Sequence, residues 1–189
     1  MNNLIWSDSY IMKIIIYGAR IIYRRIWVSI KKLVGHKIEF GGQCLISSKC
    51  DLEIARNSSI HIGKRVTAEK NGLIAVRPSG TVFLGDGVYI NRNCIIVAHQ
   101  KIVIEDGVTI GPNCCIYDHD HDVMDRGSFI TRSIHIGKNA WIGANVLIMK
   151  GMKIGEGSIV GAGCIVTKDV PSNSTLVQKR ENTVRNNRE

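Results

Sequence analysis

Proline, aromatic residues and long apolar runs are scarce in this chain of 189 residues. Three prolines against 19 glycines exclude a collagen-like or proline-rich linker protein. Aromatic residues make up 6% of the chain, whereas isoleucine and valine are abundant, and this balance favours β structure. Because 44% of the residues are apolar and 22% are charged, the composition is that of a globular protein and not of a disordered one. The length predicts one domain with a short appendage.

A run of about 18 uncharged apolar residues is absent, so we do not expect a transmembrane helix. The first residues also lack the layout of a signal peptide, because Lys13, Arg20 and Arg24 interrupt the apolar stretches. These observations predict a cytoplasmic protein whose six cysteines are reduced. Their spacing includes no C-x-x-C pair and no zinc signature.

The net charge of +9 comes largely from the two ends of the chain. Residues 1–40 contain seven Lys or Arg against two Asp or Glu, whereas residues 41–167 contain 13 against 11. The N-terminal segment 1–37 is predicted to form a basic amphipathic helix, because four basic residues share one helical face. They are Lys13, Arg20, Arg24 and Lys31. Two hypotheses remain open: the helix lies peripherally on the inner face of a membrane, or it packs on its own domain or on a sister subunit. A nucleic-acid partner is not expected, because the chain contains no nucleic-acid motif.

An aliphatic residue recurs at every sixth position through the rest of the chain. The clearest series is Ile136, Ile142, Ile148, Ile154, Val160 and Val166. The same register appears upstream at Leu84, Ile90, Ile96, Ile104, Ile110 and Ile116, and weaker copies begin at Phe40. A period of six fits neither a helix nor one long strand, but it fits a short strand followed by a sharp corner. This pattern predicts an all-β solenoid over residues 38–171, followed by a short C-terminal tail over 172–189.

Two further positions of the repeat support this interpretation. The fourth position holds residue types that tolerate a left-handed backbone at a corner: Gly87, Asn93, Gly107, Asn113, Asn139, Asn145, Gly151, Gly157, Gly163 and Asp169. The fifth position holds small side chains that would fill a narrow core, and five cysteines are among them: Cys44, Cys50, Cys94, Cys114 and Cys164. Offsets of two residues predict bulged corners or short inserts near Leu52, Ile60, Val82 and Ile102.

These repeats resemble the hexapeptide-repeat acyltransferases, whose fold is a left-handed parallel β-helix. In that family three repeats form one triangular coil of about 18 residues, so about seven coils fit between Phe40 and Pro171. The predicted fold is therefore an all-β, left-handed parallel β-helix of about seven coils with an N-terminal helical segment.

The register stops after Ile116 and resumes at Ile136, which predicts an extruded loop over residues 117–135. The segment VYINRNCIIV and the residues after it resemble galactoside and maltose acetyltransferases without a gap. This resemblance places the catalytic histidine at His121 and the acceptor contacts at Tyr89 and Asn91. The acceptor-site aspartate of that family falls on His99, so the resemblance implies a different acceptor here. His119, two residues before His121, is counted with the acceptor contacts.

The chemistry implied is acetyl transfer from acetyl-CoA to a hydroxyl. A neutral imidazole suits the role of a general base, because its pKa lies near neutrality. A rival interpretation of the DHDHD segment is a metal site, since strand alternation would put the two histidines on one side. In β-helix carbonic anhydrases two zinc-binding histidines are spaced five residues apart, and no two histidines have that spacing here. We therefore expect no metal.

The segment VGAGCIVTKDVP resembles the last coil of the family, where contacts with coenzyme A concentrate. The contacts implied by this resemblance are Ala144, Ala162, Thr167, Lys168 and Arg185. Lys168 and Arg185 suit the phosphates of coenzyme A, and the neighbouring Lys179 and Arg180 could assist them. Trp141 is predicted to point outward, either as a wall of the pantetheine channel or as a contact between subunits.

The resemblance also implies a homotrimer with threefold symmetry and active sites between adjacent chains. Our leading hypothesis is an O-acetyltransferase that acts on a bacterial surface-polysaccharide precursor, such as O-antigen or capsule, whose carbohydrate acceptor is lipid-linked. One alternative is an acetyltransferase for a soluble acceptor such as a nucleotide sugar, a serine or an antibiotic. Another is a non-catalytic β-helix scaffold, because a fold alone does not fix a function.

Overall fold

The structure, a computed structural model, describes residues 37–179 together with Ile15, Gly18 and Ala19. Those three residues have helical backbone conformation, but three separate residues do not establish the predicted N-terminal helical segment, which stays a prediction. The rest of segment 1–36 lies outside the described residues, and so does the tail from residue 180 onward. Within the described part of the chain, no helix has the length and apolar character needed to cross a membrane.

Residues 37–179 form a parallel β-solenoid with three faces, and its strands are numbered in chain order. The first face contains β1 (Lys37–Phe40), β4 (Ser59–Ile62), β7 (Thr81–Leu84), β10 (Lys101–Ile104), β15 (Ile134–Ile136) and β18 (Lys153–Ile154). The second contains β2 (Leu45–Ile46), β5 (Thr67–Ala68), β8 (Tyr89–Ile90), β11 (Thr109–Ile110), β16 (Trp141–Ile142), β19 (Ile159–Val160) and β21 (Thr175–Leu176). The third contains β3 (Asp51–Ile54), β6 (Leu73–Val76), β9 (Ile95–Ala98), β12 (Cys115–Tyr117), β17 (Leu147–Ile148) and β20 (Ile165–Val166).

The solenoid makes about six turns, one fewer than predicted. The first and third faces have six strands each, and the second has seven. The early turns contain more residues than the coil of about 18 residues that the family repeat implies. For example, Ser59 and Thr81 are partners on successive turns and are 22 residues apart. The left-handed sense of the coil stays a prediction.

The interior is a continuous stack of aliphatic side chains, as the six-residue period predicted. On the first face Ile62, Leu84 and Ile104 are partners on successive strands, and all three are almost fully buried. Burying one such side chain contributes about 1.5–3 kcal/mol, so this stack is the main source of stability. Of the two predicted explanations for the offsets, bulged corners are wrong, because those positions are paired residues within regular four-residue strands; the extra residues lengthen the early turns, as short inserts would. The paired positions are Leu52, Ile60, Val82 and Ile102.

The corners adopt the backbone conformation that the fourth position of the repeat predicted. Positive φ angles occur at all the predicted residues except Asp169: Gly87, Asn93, Gly107, Asn113, Asn139, Asn145, Gly151, Gly157 and Gly163. The asparagines also connect successive turns. Nδ2 of Asn93 donates to Oδ1 of Asn113 at 2.9 Å, and Nδ2 of Asn113 donates to Oδ1 of Asn145 at 3.2 Å.

The cysteines at the fifth position fill the core, as predicted. All five are buried: Cys44, Cys50, Cys94, Cys114 and Cys164. The thiols of Cys44, Cys94 and Cys114 donate to corner carbonyls, for example from Cys114 to Gly143 at 3.0 Å. Such buried thiols are structural and not reactive.

A β-hairpin interrupts the solenoid between β12 and β15, within the segment predicted as an extruded loop. It consists of β13 (His119–His121) and β14 (Phe129–Thr131), which pair antiparallel. His119 faces Thr131, and His121 faces Phe129 across the pair. We refer to residues 119–131 as the hairpin.

Candidate active site

Asp118 lies at the root of the hairpin, between β12 and β13, and its side chain is fully buried. Its Oδ1 accepts the backbone N–H of His99 at 2.8 Å, and its Oδ2 accepts those of Gln100 and Lys101 at 2.8 and 2.7 Å. A buried carboxyl needs such donors, because burial without hydrogen bonds is costly. Asp118 therefore ties the hairpin root to the corner between β9 and β10.

Four rings meet at the hairpin, and we call them the histidine cluster: His99, His119, His121 and Phe129. The centroid of the Phe129 ring lies 4.3 Å from that of His99, 5.3 Å from that of His119 and 4.7 Å from that of His121. The ring centroids of His99 and His119 lie 4.1 Å apart. The structure thus brings together three of the predicted site residues.

Asp118 and Phe129 were not identified as site residues from the sequence. Strand alternation does not show which aspartate of the DHDHD segment lies beneath the hairpin. The one sequence signal for Phe129 is that it is one of two aromatic residues in segment 117–135, in a chain with few aromatic residues.

Nδ1 of His119 lies 3.4 Å from Oδ1 of Asp118 and makes no hydrogen bond. In the part of the chain that the structure describes, it is the one buried side-chain nitrogen or oxygen without a hydrogen-bond partner. The side chain of His119 is 15% exposed, so another part of the ring still reaches solvent.

Burial changes the titration of two groups in or near the cluster. Burial lowers the pKa of His99 below its ordinary value, and the neighbouring His119 lowers it further. Burial, together with a hydrogen bond to Cys115, raises the pKa of Tyr117 to about 12. His99 and Tyr117 therefore both favour their neutral forms near pH 7.

His121, the predicted base, is exposed at the end of β13. Between the two hairpin histidines, Oδ2 of Asp120 accepts a hydrogen bond from Nζ of Lys150 at 3.0 Å, and this contact lowers the pKa of Asp120. Asp118 and Asp120 therefore have separate partners. Over residues 37–179, no group of three or more His, Cys, Asp or Glu side chains is placed to hold a metal ion.

Tyr89 and Asn91, the predicted acceptor contacts, lie on and just after β8 of the second face. Both are half-buried, and Oδ1 of Asn91 accepts the backbone N–H of Arg92 at 2.8 Å. The histidine cluster lies instead between the third and first faces. One chain therefore places the two predicted halves of the acceptor site on different parts of its surface.

The predicted coenzyme A contacts lie toward the C-terminal end of the solenoid. Thr167, Lys168 and Lys179 line one groove together with Gln178, and we call this the donor groove. Its wall is fixed because Oε1 of Gln178 accepts the backbone N–H of Ile165 at 3.1 Å. Both lysines are exposed. Arg180 and Arg185 lie outside the described residues.

Ala144 and Ala162 occupy stacked corners of neighbouring turns. The carbonyl of Ala144 accepts the backbone N–H of Gly163 at 2.7 Å. Trp141 begins β16 on the second face and is 56% exposed, with Thr109 and Ile159 as its strand partners. Its outward orientation is the predicted one.

The fold and its corners define a solenoid of hexapeptide repeats, and the comparisons agree. Residues 133–168 match the family model described as bacterial transferase hexapeptide (six repeats). No curated protein sequence matches the chain.

Several solved structures share the fold. A hexapeptide-repeat acetyltransferase of Vibrio cholerae O1 biovar eltor, complexed with acetyl coenzyme A, is 27% identical with a TM-score of 0.50 over 75% of this chain and 64% of its own. A maltose O-acetyltransferase of Clostridium difficile 630 is 28% identical with a TM-score of 0.52 over 72% and 63%. A galactoside acetyltransferase in complex with coenzyme A is 28% identical with a TM-score of 0.53 over 74% and 60%.

These findings confirm the predicted resemblance to hexapeptide-repeat acetyltransferases, including the maltose and galactoside enzymes. The chain spans less than two thirds of the length of each of the three proteins.

Proposed function

We propose that this protein is an acetyl-CoA-dependent O-acetyltransferase that modifies a sugar hydroxyl of a bacterial surface-polysaccharide precursor. The observation that carries the proposal is the hairpin, which presents His119 and His121 on a solenoid whose structural relatives include an acetyltransferase complexed with acetyl coenzyme A. A regular solenoid needs no such extrusion for stability, and functional residues concentrate on such loops.

The donor groove is suited to coenzyme A. Lys168 and Lys179 place two exposed cations in one groove, where they can pair with phosphate groups. Thr167 adds a hydroxyl donor beside them. Ala144 and Ala162 would let the pantetheine arm pass close to the backbone because their side chains are small. Exposed Trp141 would give this arm an apolar wall.

The reaction requires one proton to be moved and no covalent enzyme intermediate. His121 takes the proton of the acceptor hydroxyl while the oxygen attacks the thioester carbonyl. When the tetrahedral intermediate collapses, the carbon–sulfur bond breaks, and the imidazolium returns its proton to the leaving thiolate. The acetylated sugar and free coenzyme A result. No thiol of the core takes part, because these cysteines are buried.

A sugar acceptor is supported by the rings next to His121. Phe129 is 41% exposed and lies beside both His121 and His99, so it offers an apolar surface to one face of a sugar ring. His99 takes the place of an aspartate in the related enzymes and favours the neutral form, which suits an uncharged hydroxyl-rich acceptor.

The complete site requires a homotrimer. Tyr89 and Asn91 lie on the second face, away from the hairpin of the same chain, so an adjacent subunit must bring them to His121. Exposed apolar residues on the outer faces, among them Trp141 and Ile165, would be covered in such an assembly. The basic N-terminal segment, most of which lies outside the described residues, would hold the trimer near anionic lipid if the precursor is lipid-linked.

The proposal is tested by calorimetric titration of the purified chain with acetyl-CoA. We expect one site per chain and a binding constant weakened at least about tenfold by Lys168→Ala, because a charge-assisted phosphate contact is lost. Lys138→Ala is the matched control, since Lys138 is an exposed lysine paired with Asp106 outside the donor groove. Absence of acetyl-CoA binding by the unmodified chain would overturn the proposal and favour a scaffold role.

The acceptor is then identified by acetylation assays with lipid-linked glycan fragments. Acetylation of these fragments supports the proposal. Equal or better activity with a nucleotide sugar, a serine or an antibiotic would replace the polysaccharide precursor with a soluble acceptor.

A further inference from the structure

The contact between Asp118 and His119 decides how His119 meets a ligand. Asp118 is fully buried, and its three N–H donors all come from the backbone of residues 99–101. A carboxylate can accept more hydrogen bonds than these three, so Oδ1, which accepts only one of them, has capacity left on the side of His119.

Nδ1 of His119 is the nitrogen that faces this oxygen, 3.4 Å away and buried. If Nδ1 carried a lone pair, two acceptors would face one another in a buried site, which is unfavourable. If Nδ1 carries the proton, the nearest acceptor is this carboxylate oxygen, and a small reorientation of the imidazole ring completes a hydrogen bond. The proton therefore belongs on Nδ1, and the lone pair belongs on Nε2.

We propose that Asp118 is a positioning residue that holds His119 in the Nδ1–H tautomer, so that Nε2 of His119 accepts a hydrogen bond from a hydroxyl of the acceptor. This inference rests on the proposed function, which it deepens by assigning one acceptor contact. It requires an acceptor with a second hydroxyl close to the one that reacts, because His121 takes the proton of the reacting one. An acceptor without that second hydroxyl leaves Nε2 unpaired and binds more weakly.

Asp118 also positions His99 through its backbone hydrogen bonds. The backbone N–H groups that it binds belong to the corner that carries His99, whose ring lies 4.1 Å from His119 and 4.3 Å from Phe129. Loss of the carboxylate would therefore release His99 and His119 from their positions. The exposed His121 would keep its place on β13.

The tautomer can be read directly from the full-length protein without substrate. Long-range ¹H–¹⁵N spectra of ¹⁵N-histidine-labelled protein distinguish the two neutral tautomers, and the signals of the six histidines are assigned with single His→Gln variants. We expect His119 to show a protonated Nδ1, and we expect Asp118→Asn to change its ring signals. Asp120→Asn is the matched control, because Asp120 is exposed and pairs with Lys150. This variant should leave the ring signals of His119 unchanged. A protonated Nε2 in the unmodified protein would overturn the inference even if Asp118→Asn failed to fold.

Kinetics test the consequence for the acceptor. Asp118→Asn and His119→Ala should each raise KM for the acceptor about tenfold while the binding constant for acetyl-CoA stays unchanged. The effects of Asp118→Asn and His119→Ala should be less than additive in the double variant, because Asp118 acts in part through His119 and in part through the corner of His99. An unchanged acceptor KM in a folded Asp118→Asn variant would refute the inference. Absence of acetyl-CoA binding by the unmodified chain would instead refute the proposed function, and the tautomer measurement would still stand.

Discussion

At the scale of single residues, the two hairpin histidines have different surroundings although only Asp120 separates them in the chain. His119 is largely buried against Asp118, whereas His121 is exposed and contacts Phe129. An exposed imidazole can receive a proton and release it to a departing thiolate, which is what a general base in acetyl transfer must do.

Replacement of His121 by Ala should lower kcat by about 10²–10⁴, because general-base catalysis is removed. Acetyl-CoA binding should be unaffected, since the donor groove is formed by other residues. The control is His135→Ala, an exposed histidine that pairs with Glu105 outside the cluster, and it should retain activity. Wild-type turnover in His121→Ala together with loss of turnover in His119→Ala would transfer the role of base to His119.

His99 should make the stability of the fold depend on pH. Its pKa in the folded state is lowered by burial, then by His119 and to a lesser extent by Arg77 and His121, while Asp118 acts in the opposite direction. The unfolded chain, with an ordinary histidine pKa of about 6.5, binds the proton more readily. The contribution of His99 is therefore fully present above about pH 6.5 and is lost as the pH falls below it.

Urea unfolding at a neutral and a mildly acidic pH measures this dependence. The His99→Gln variant should lose less stability on acidification than the unmodified protein does. An equal loss in both proteins would show that other groups cause the effect.

At the scale of secondary-structure elements, the corners fix how closely successive turns approach. A methyl group added to Gly63 would lie 2.6 Å from the carbonyl carbon of Gly85 on the next turn, whereas one added to Gly42 would meet nothing within 4 Å. Gly63→Ala should therefore lower the free energy of unfolding by about 1–3 kcal/mol, because backbone must move away from backbone. Gly42→Ala should change it by less than about 0.5 kcal/mol. Similar unfolding midpoints in urea for the two variants would contradict this explanation.

The elements also show which parts of the architecture a sequence pattern can predict. The aliphatic residue at every sixth position and the Gly or Asn at the corner predicted the strands and the positive φ angles, because both features are local. The number of turns was overestimated, because residues such as Ile60 and Val82 extend strands and do not interrupt them. Asp118 was not recognised because the role of a buried carboxylate depends on the corner at residues 99–101, which only the folded turn brings near.

At the scale of the whole molecule, the predicted site residues separate into three places. The histidine cluster lies at the hairpin, the donor groove lies near the C-terminal end, and Tyr89 lies on the second face. In a threefold assembly each interface joins one edge of a chain to a different edge of the next, so residues that are far apart in one chain can meet between two. A trimer would have three times the chain mass of 20.9 kDa in light scattering.

Mixed trimers test whether each site is shared between chains. His121→Ala and Tyr89→Ala should each be nearly inactive alone, but co-expression should restore activity. In random trimers about a quarter of the interfaces pair an intact His121 with an intact Tyr89 of the neighbour, so about a quarter of wild-type activity is expected. The control is co-expression of His121→Ala with a chain that carries both changes, which leaves no intact His121 and should stay inactive. If the two single variants failed to complement although mass measurement showed mixed trimers, both residues would act within one chain and the shared site would be refuted.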